Sequence, residues 1–408
     1  MLVRMHQRNE RLLVLEFVRV SVDSDAVAKK IEEEAEKELI IPVPGNATEI
    51  VSELTADLVK KMETKDITLA IQTEKANYTI PAKQIQVDSI SEQVGKEVSL
   101  ADIKVKVNIS DSTANTAKVV EDTANKNNYQ LVVKPIEFTI TATTGDKTVE
   151  VSKFNAYVER TIAIPDGVDP SKITTGIVLN NDGTFSHVPT TILKIGDKYF
   201  AKINSLTNST YSVIWSPKTF ADVEKHWSKA SVNNMASRLI INGKSETAFA
   251  PNDQITRAEF ASILVRALGL KHIESAKPIN FKDVQASDWY NNDIQIAIEY
   301  GIIKGYDDST FKGGRTITRE EATLMLMRAM KWTKLTSVTD DATTNIVMSN
   351  FKDAASISKW AKQAFASAVN NGVVQGGSKV KLNPKTNITR AETAAMVERF
   401  LKKAALID

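Results

Sequence analysis

The stretch "ITRAE" stands at Ile255–Glu259, returns as "ITREE" at Ile317–Glu321 and recurs as "ITRAE" at Ile388–Glu392. Two spacings hold around every copy. A tryptophan (Trp227, Trp289, Trp360) precedes a glycine by 16 residues (Gly243, Gly305, Gly376), and that glycine precedes the motif arginine by 14 (Arg257, Arg319, Arg390). The lead-ins "FADVEKHW", "FKDVQASDW" and "FKDAASISKW" grow by one residue per copy, as a loop tolerates. Fixed spacings kept three times mark a repeat architecture.

Each copy reads as helix, loop, helix. Val232, Met235, Ala236 and Leu239 form an apolar series after the tryptophan, matched by Ile294, Ala297, Ile298, Gly301 and by Phe365, Ala368, Val369, Gly372. A second series follows the arginine: Ile263, Leu264, Ala267, Leu268, then Met325, Leu326, Ala329, Met330, then Met396, Val397, Phe400, Leu401. These are helical stripes. One helix pair cannot bury such a stripe, whereas three can pool theirs.

Most of the motif starts a helix. Thr256, Thr318 and Thr389 with Glu259, Glu321 and Glu392 three residues on are capping boxes, and the preceding isoleucine can staple, Ile255 best against Phe260. Arginine at the first helical position is disfavoured by the helix dipole, by roughly 0.3–1 kcal/mol. Three at one position imply a need for positive charge, to hold a carboxylate or phosphate beside free N–H groups or to bridge to a neighbouring repeat's Asp222, Asp283 or Asp353. The tryptophans fit either a core or a sugar-stacking platform. The glycines fit a helix end with positive φ, or close approach to a ligand.

These features resemble S-layer homology domains of Gram-positive cell-surface proteins, over Phe220 to about Leu401. The resemblance implies a pseudo-threefold spindle with a central three-helix bundle. It implies grooves between repeats that bind secondary cell-wall polysaccharide attached to peptidoglycan, often through a pyruvate ketal. The expected glycan-binding residues are then Arg257, Arg319 and Arg390, Asp222, Asp283 and Asp353, Trp227, Trp289 and Trp360, and Gly243, Gly305 and Gly376. Glu320, where the other copies have alanine, is expected to weaken Arg319, and Ala354 with a longer loop makes Asp353 and Trp360 less regular.

The first half differs in texture. "ITLAIQT" (Ile67–Thr73), "IKVKVNIS" (Ile103–Ser110), "YVERTIAI" (Tyr157–Ile164), "TTILKI" (Thr190–Ile195) and "YSVIWS" (Tyr211–Ser216) alternate as strands between turn signals. Leu13–Val22 also reads as a strand, Thr48–Lys65 as an amphipathic helix on Ile50, Leu54, Leu58 and Met62, and Ser112–Asn128 as a weaker helix. The expected fold is multidomain: a partial domain at 1–44, a β-rich α+β domain at 45–216, and all-α repeats at 217–273, 274–336 and 337–408. "SLTNSTYSVIWSPKTF" is similar to the region preceding such repeats in large Paenibacillus-like surface proteins and polysaccharide-degrading enzymes.

Composition narrows the function. Among 408 residues, 52 Lys and Arg balance 50 Asp and Glu, which argues against a nucleic-acid partner. The absence of cysteine removes disulfides, thiolate metal sites and cysteine nucleophiles. No apolar run reaches the roughly 20 residues of a membrane span. The N-terminus is a poor signal peptide, since Glu16 and Arg19 interrupt its apolar stretch, and the chain reads as starting inside a domain. No HExxH, GxSxG or phosphate loop is present. His6, His187, His226 and His272 are not paired at ligand spacing, and "NNDG" (Asn180–Gly183) is a turn before it is a calcium site. The expectation is a wall anchor outside the cell, without catalysis, cofactor or metal. The alternatives are the tail of a wall-anchored glycoside hydrolase, or a structural lattice protein whose further partners are other S-layer subunits.

Overall fold

A computed structural model describes residues 3–8, 17–34, 36–45, 47–272, 281–376 and 380–408. The chain divides into two compact units, Met1–Trp215 and Ser216–Asp408.

The first unit is β-rich. One sheet runs Val3–Arg8, Phe17–Val22, Glu49–Thr55, Lys104–Asp111, Gln130–Thr144, Ser209–Trp215, Thr175–Leu179, Phe185–Val188, with Lys147–Glu150 also paired to Gln130–Thr144. The second runs Thr190–Ile195, Lys198–Thr207, Lys153–Ala163, Ala76–Pro81, Thr68–Gln72, Glu38–Pro42. Pairing is antiparallel except where Phe17–Val22 meets Glu49–Thr55 and Glu38–Pro42 meets Thr68–Gln72. Ile50, Val107 and Phe138 of the first sheet share a core with Tyr78, Val158 and Ile203 of the second. The expected break at 44–45 is not a structural one, because Phe17–Val22 and Glu38–Pro42 are hydrogen-bonded into the two sheets. Residues 13–16 of the expected Leu13–Val22 strand, and the expected repeat boundary at 273–274, lie outside the described residues.

Two helix expectations fared differently. Ala114–Lys126 is helical, with Thr113 as its N-cap. Of Thr48–Lys65, only Ala56–Thr64 is helical, while Glu49–Thr55 is a strand burying Ile50, Ser52 and Leu54. Positions 50 and 54 are four apart, which satisfies a period of two as well as a helical turn. Asn180–Gly183 is a turn: Gly183 N donates to Asn180 O at 2.9 Å, and Gly183 has φ 79°.

The second unit contains the repeats. Their first helices are Lys229–Ser237, Asn291–Glu299 and Lys362–Asn370; their second are Arg257–Ala267, Arg319–Met330 and Arg390–Lys403. A further helix, Asp341–Met348, precedes the third copy and packs on Lys362–Asn370. All three capping boxes form. Each first helix packs on the second helix of the preceding copy, in cyclic order: Asn291–Glu299 on Arg257–Ala267, Lys362–Asn370 on Arg319–Met330, and Lys229–Ser237 on Arg390–Lys403.

The isoleucines close this ring. Ile255 N donates to Ile388 O, Ile388 N to Ile317 O and Ile317 N to Ile255 O, each at 3.1 Å. All three side chains are buried. They are hub residues, and the three copies are tied to one another through backbone rather than strung as beads.

Candidate anion-binding clefts

The helix starts carry no free amides. The cap threonine's N–H goes to the box glutamate, and the third helical N–H to the threonine hydroxyl. The two between are taken by a loop of another copy. Arg257 N and Ala258 N donate to Arg315 O and Gly313 O, Arg319 N and Glu320 N to Thr386 O and Pro384 O, and Arg390 N and Ala391 N to Asp253 O and Pro251 O. The expected anion site on helix amides is therefore not available, and the charge for a ligand must come from side chains.

The three aspartates are committed within their own copies. Asp222 accepts from Phe249 N and Ala250 N, at 2.9 and 2.7 Å. Asp283 accepts from Phe311 N and Lys312 N at 2.8 and 2.7 Å, and Asp353 from Leu382 N and Asn383 N at 2.9 and 2.7 Å. Each fixes the loop before the second helix. The acid that meets a motif arginine is instead the box glutamate of the next copy: Arg390 Nη1 lies 3.5 Å from Glu259 Oε1, and Arg319 Nη1 3.4 Å from Glu392 Oε1.

The glycines are not helix ends. The left-handed residues that finish the first helices are Leu239, Gly301 and Gly372, at φ 62–67°, positions the periodicity had assigned to the apolar stripe. At Gly243, Gly305 and Gly376 the lead-in phenylalanine lies against the backbone. A Cβ there would come within 2.5 Å of Phe220, 2.3 Å of Phe281 and 2.9 Å of Phe351.

The tryptophans are not core. Trp227, Trp289 and Trp360 are 65, 62 and 51% exposed, where a core tryptophan would be covered. Two of them edge clefts that hold a motif arginine from another copy. Trp289 joins Arg390, Arg266, Lys244, Glu259, Gly243 and Phe249 around a cleft of about 130 Å³. Trp227 joins Arg319, Arg399, Lys381, Glu392, Gly376 and Asn383 around one of about 220 Å³.

In the first cleft Arg390 Nε donates to Phe249 O at 2.8 Å and Nη2 to Asn242 O at 2.6 Å, with the guanidinium 4.5 Å from the Phe249 ring centroid. In the second, Arg319 Nη2 donates to Gln375 O at 3.3 Å, while its buried Nε has no partner among the described residues. Burial pushes both guanidinium pKa values down, opposed by Glu259, Asp253 and Asp222 for Arg390 and by Glu392 and Asp353 for Arg319. Burial alone would raise Glu259, but Thr256 and Lys244 hold it below the ordinary carboxylate value.

Arg257 is placed differently. Its guanidinium lies 5.0 Å from the Tyr306 ring and 5.2 Å from Phe311, and its Nη2 donates to Lys304 O at 3.1 Å. The carboxylate it would share, Glu321, accepts from the Tyr306 hydroxyl at 2.8 Å and is ion-paired to Arg315, which also donates to Tyr306. Glu320, expected to weaken Arg319, is buried elsewhere: it accepts from Ser358 N at 3.1 Å and pairs with Lys385 at 2.7 Å.

Sequence reasoning missed Arg266, Arg328 and Arg399, nine residues after each motif arginine. The signal was there: an arginine recurring on a buried helix at the same offset. Arg266 Nη1 and Arg399 Nε donate to the equivalent carbonyls of Ile240 and Val373, at 3.3 and 3.0 Å.

The S-layer homology domain model matches residues 219–261, 280–323 and 350–394. An amylopullulanase of Thermoanaerobacterium thermosulfurigenes is 33% identical over 69% of this chain and 14% of its own length. The Surface-layer 125 kDa protein of Lysinibacillus sphaericus is 32% identical over 51% of this chain and 17% of its own. The Cellulosome-anchoring protein of Acetivibrio thermocellus is 32% identical over 39% of this chain and 34% of its own. The chain thus spans about a third or less of these relatives. The amylopullulanase match exceeds the Ser216–Asp408 unit, so it reaches into Met1–Trp215. Three consecutive matches, on the copies that carry the capping boxes and the inter-copy clefts, make the C-terminal region of this chain a set of three S-layer homology domains.

Proposed function

We propose that the chain anchors a cell-surface protein non-covalently to the bacterial cell wall, by holding acidic groups of secondary cell-wall polysaccharide in the clefts between its repeats. One observation carries this reading. Across each of two clefts, an exposed tryptophan from one copy faces a largely buried arginine from another. The ring offers a flat apolar face to a sugar, and the guanidinium a planar fork to a carboxylate. A pyruvate ketal presents both features on one residue.

Finer points of the reading are the pseudo-threefold spindle, with the three second helices as its central bundle, and repeat limits of 217–273, 274–336 and 337–408. In it, Arg319 with Trp227 and Arg390 with Trp289 contact the glycan. Asp222, Asp283 and Asp353, with Gly243, Gly305 and Gly376, shape the clefts. Arg257 is the weakest of the three arginines, because Tyr306 and Arg315 occupy its carboxylate.

The similarity to an amylopullulanase beyond the repeats favours a second reading, in which this chain is the wall-attached part of a polysaccharide-degrading enzyme. The two are compatible, since one concerns attachment and the other what is attached. Co-sedimentation tests the first: the chain should pellet with sacculi that retain their secondary polymer and stay in the supernatant once acid has stripped it. Equal pelleting with stripped peptidoglycan would overturn the anchor reading. Turnover of starch or xylan by the chain would support the second.

A further inference from the structure

The cleft edged by Trp227 contains two guanidinium groups. Arg319 comes from the first helical position of the second copy, and Arg399 from the third turn of the third copy's second helix. Lys381 adds a third cation, against the single carboxylate of Glu392, so the described lining carries a net charge of +2. A protein does not gather like charges in a confined cleft without cost.

Neither arginine is used up by the protein. Arg319 reaches Glu392 at 3.4 Å and Gln375 O at 3.3 Å, both long, and its Nε is unpaired among the described residues. Arg399 spends its Nε on Val373 O at 3.0 Å, and among the described residues no partner holds its two Nη groups. The charge of Arg319 is felt at Arg399: burial pushes the Arg399 pKa down, and Arg319 pushes it further, opposed by Glu398.

The sister cleft differs at this point. Its Arg266 also loses to burial, but Asp293, four residues after Trp289, offsets the charge. The position four residues after Trp227 is Ser231, which brings no charge.

Resting on the glycan-binding reading above, we propose that the Trp227 cleft holds one sugar-borne oxyanion between Arg319 and Arg399, and that Arg399 is the residue that makes the cleft demand a charged substituent. An oxyanion shared by two forks satisfies donors the protein leaves open and removes their repulsion. A neutral sugar stacked on Trp227 would do neither. The shared chemistry is an oxyanion on a saccharide, either a ketal-borne carboxylate or a sugar phosphate.

The test uses the full chain and calorimetric titration with three probes: methyl 4,6-O-(1-carboxyethylidene)-glucoside, its neutral methyl ester, and glucose 6-phosphate. Arg390→Gln in the background confines binding to the Trp227 cleft. Arg399→Gln should weaken binding of the preferred anion at least tenfold and leave the ester within twofold, with an unchanged melting temperature. Whichever of ketal and phosphate binds more tightly to the parent identifies the anion.

In the unmutated chain, the side-chain 15N resonances of both Arg319 and Arg399 should move as that anion is added, which needs no variant to fold. If Arg399→Gln binds the anion as the parent does, or only the Arg319 resonance moves, Arg399 is a structural residue and the proposal is wrong, with the cleft reading intact. If Arg319→Gln, too, binds both anions like the parent, the cleft reading itself fails.

Discussion

Gly305→Ala separates packing from ligand approach as the reason for the repeated glycine. A Cβ at this position would stand 2.3 Å from Phe281 Cε1, 3.1 Å from Phe281 Cδ1 and 3.1 Å from Thr310 O. Two of the three clashes are with one ring, and that ring is itself fixed by stacking on Phe311 at 5.7 Å between centroids. Overpacking of this kind costs about 1–3 kcal/mol. For a cooperative unit of this size, 1 kcal/mol moves the melting temperature by roughly 2–4 °C, so a fall of roughly 2–12 °C is expected. Shrinking the ring should relieve most of it: Phe281→Leu with Gly305→Ala should be less destabilised than the two single variants combined, by about 0.5–3 kcal/mol of coupling. Gly376→Ala, whose shortest approach is 2.9 Å to the Phe351 ring, should cost less than Gly305→Ala. Thermal denaturation followed by circular dichroism at 222 nm reads all four variants. A Gly305→Ala chain that melts with the parent, or a double variant that is fully additive, would refute the packing explanation.

Thr256→Ala should lower stability by about 0.5–2 kcal/mol, the usual worth of an N-cap, and change wall binding only through folding, as paired melting and binding assays would show. Burial alone would raise the Glu321 carboxyl, but bonds from Thr318, Tyr306 and Arg315 hold it below its ordinary value. Its contribution is thus present at neutral pH and fades as pH falls through the carboxylate range, below about 4.3; the melting deficit of Glu321→Gln should shrink towards zero there, and a deficit that grows on acidification would contradict the sign. Removing residues 350–408 breaks the Ile255–Ile388–Ile317 ring, so the remaining repeats should lose their sharp melting transition, whereas independently folding beads would keep it.

The repeats were legible because periodicity, capping boxes and fixed spacings are local signals, and all three second helices begin at the expected arginines. What eluded sequence reasoning was contact between copies. Nothing in "ITRAE" says that its first two helical amides are taken by another copy's loop, or that its glutamate meets another copy's arginine. The exposure of Trp227 could not be told from a core position, because a large aromatic near a helix start suits both. Glu320 beside Arg319 misled for the same reason: adjacent residues on a helix point in different directions, and this one turns to Ser358 and Lys385. In the first unit, Ile50 and Leu54 fit two periods at once, so only tertiary pairing with Phe17–Val22 and Lys104–Asp111 could make Glu49–Thr55 a strand.

The central claim is that the glycan is held where the motif arginine of one copy meets the tryptophan of another. Affinity for purified secondary cell-wall polymer, measured for Arg257→Gln, Arg319→Gln and Arg390→Gln in the full chain, tests it most directly. Losing a charged hydrogen-bonded contact is worth about 1.5–3 kcal/mol, so Arg319→Gln and Arg390→Gln should each show that loss at their own cleft. Arg257→Gln, whose neighbouring carboxylate Glu321 is already taken by Tyr306 and Arg315, should bind as the parent does. If Arg257→Gln loses as much affinity as the other two, or neither of them loses any, the polymer is not held in these two clefts.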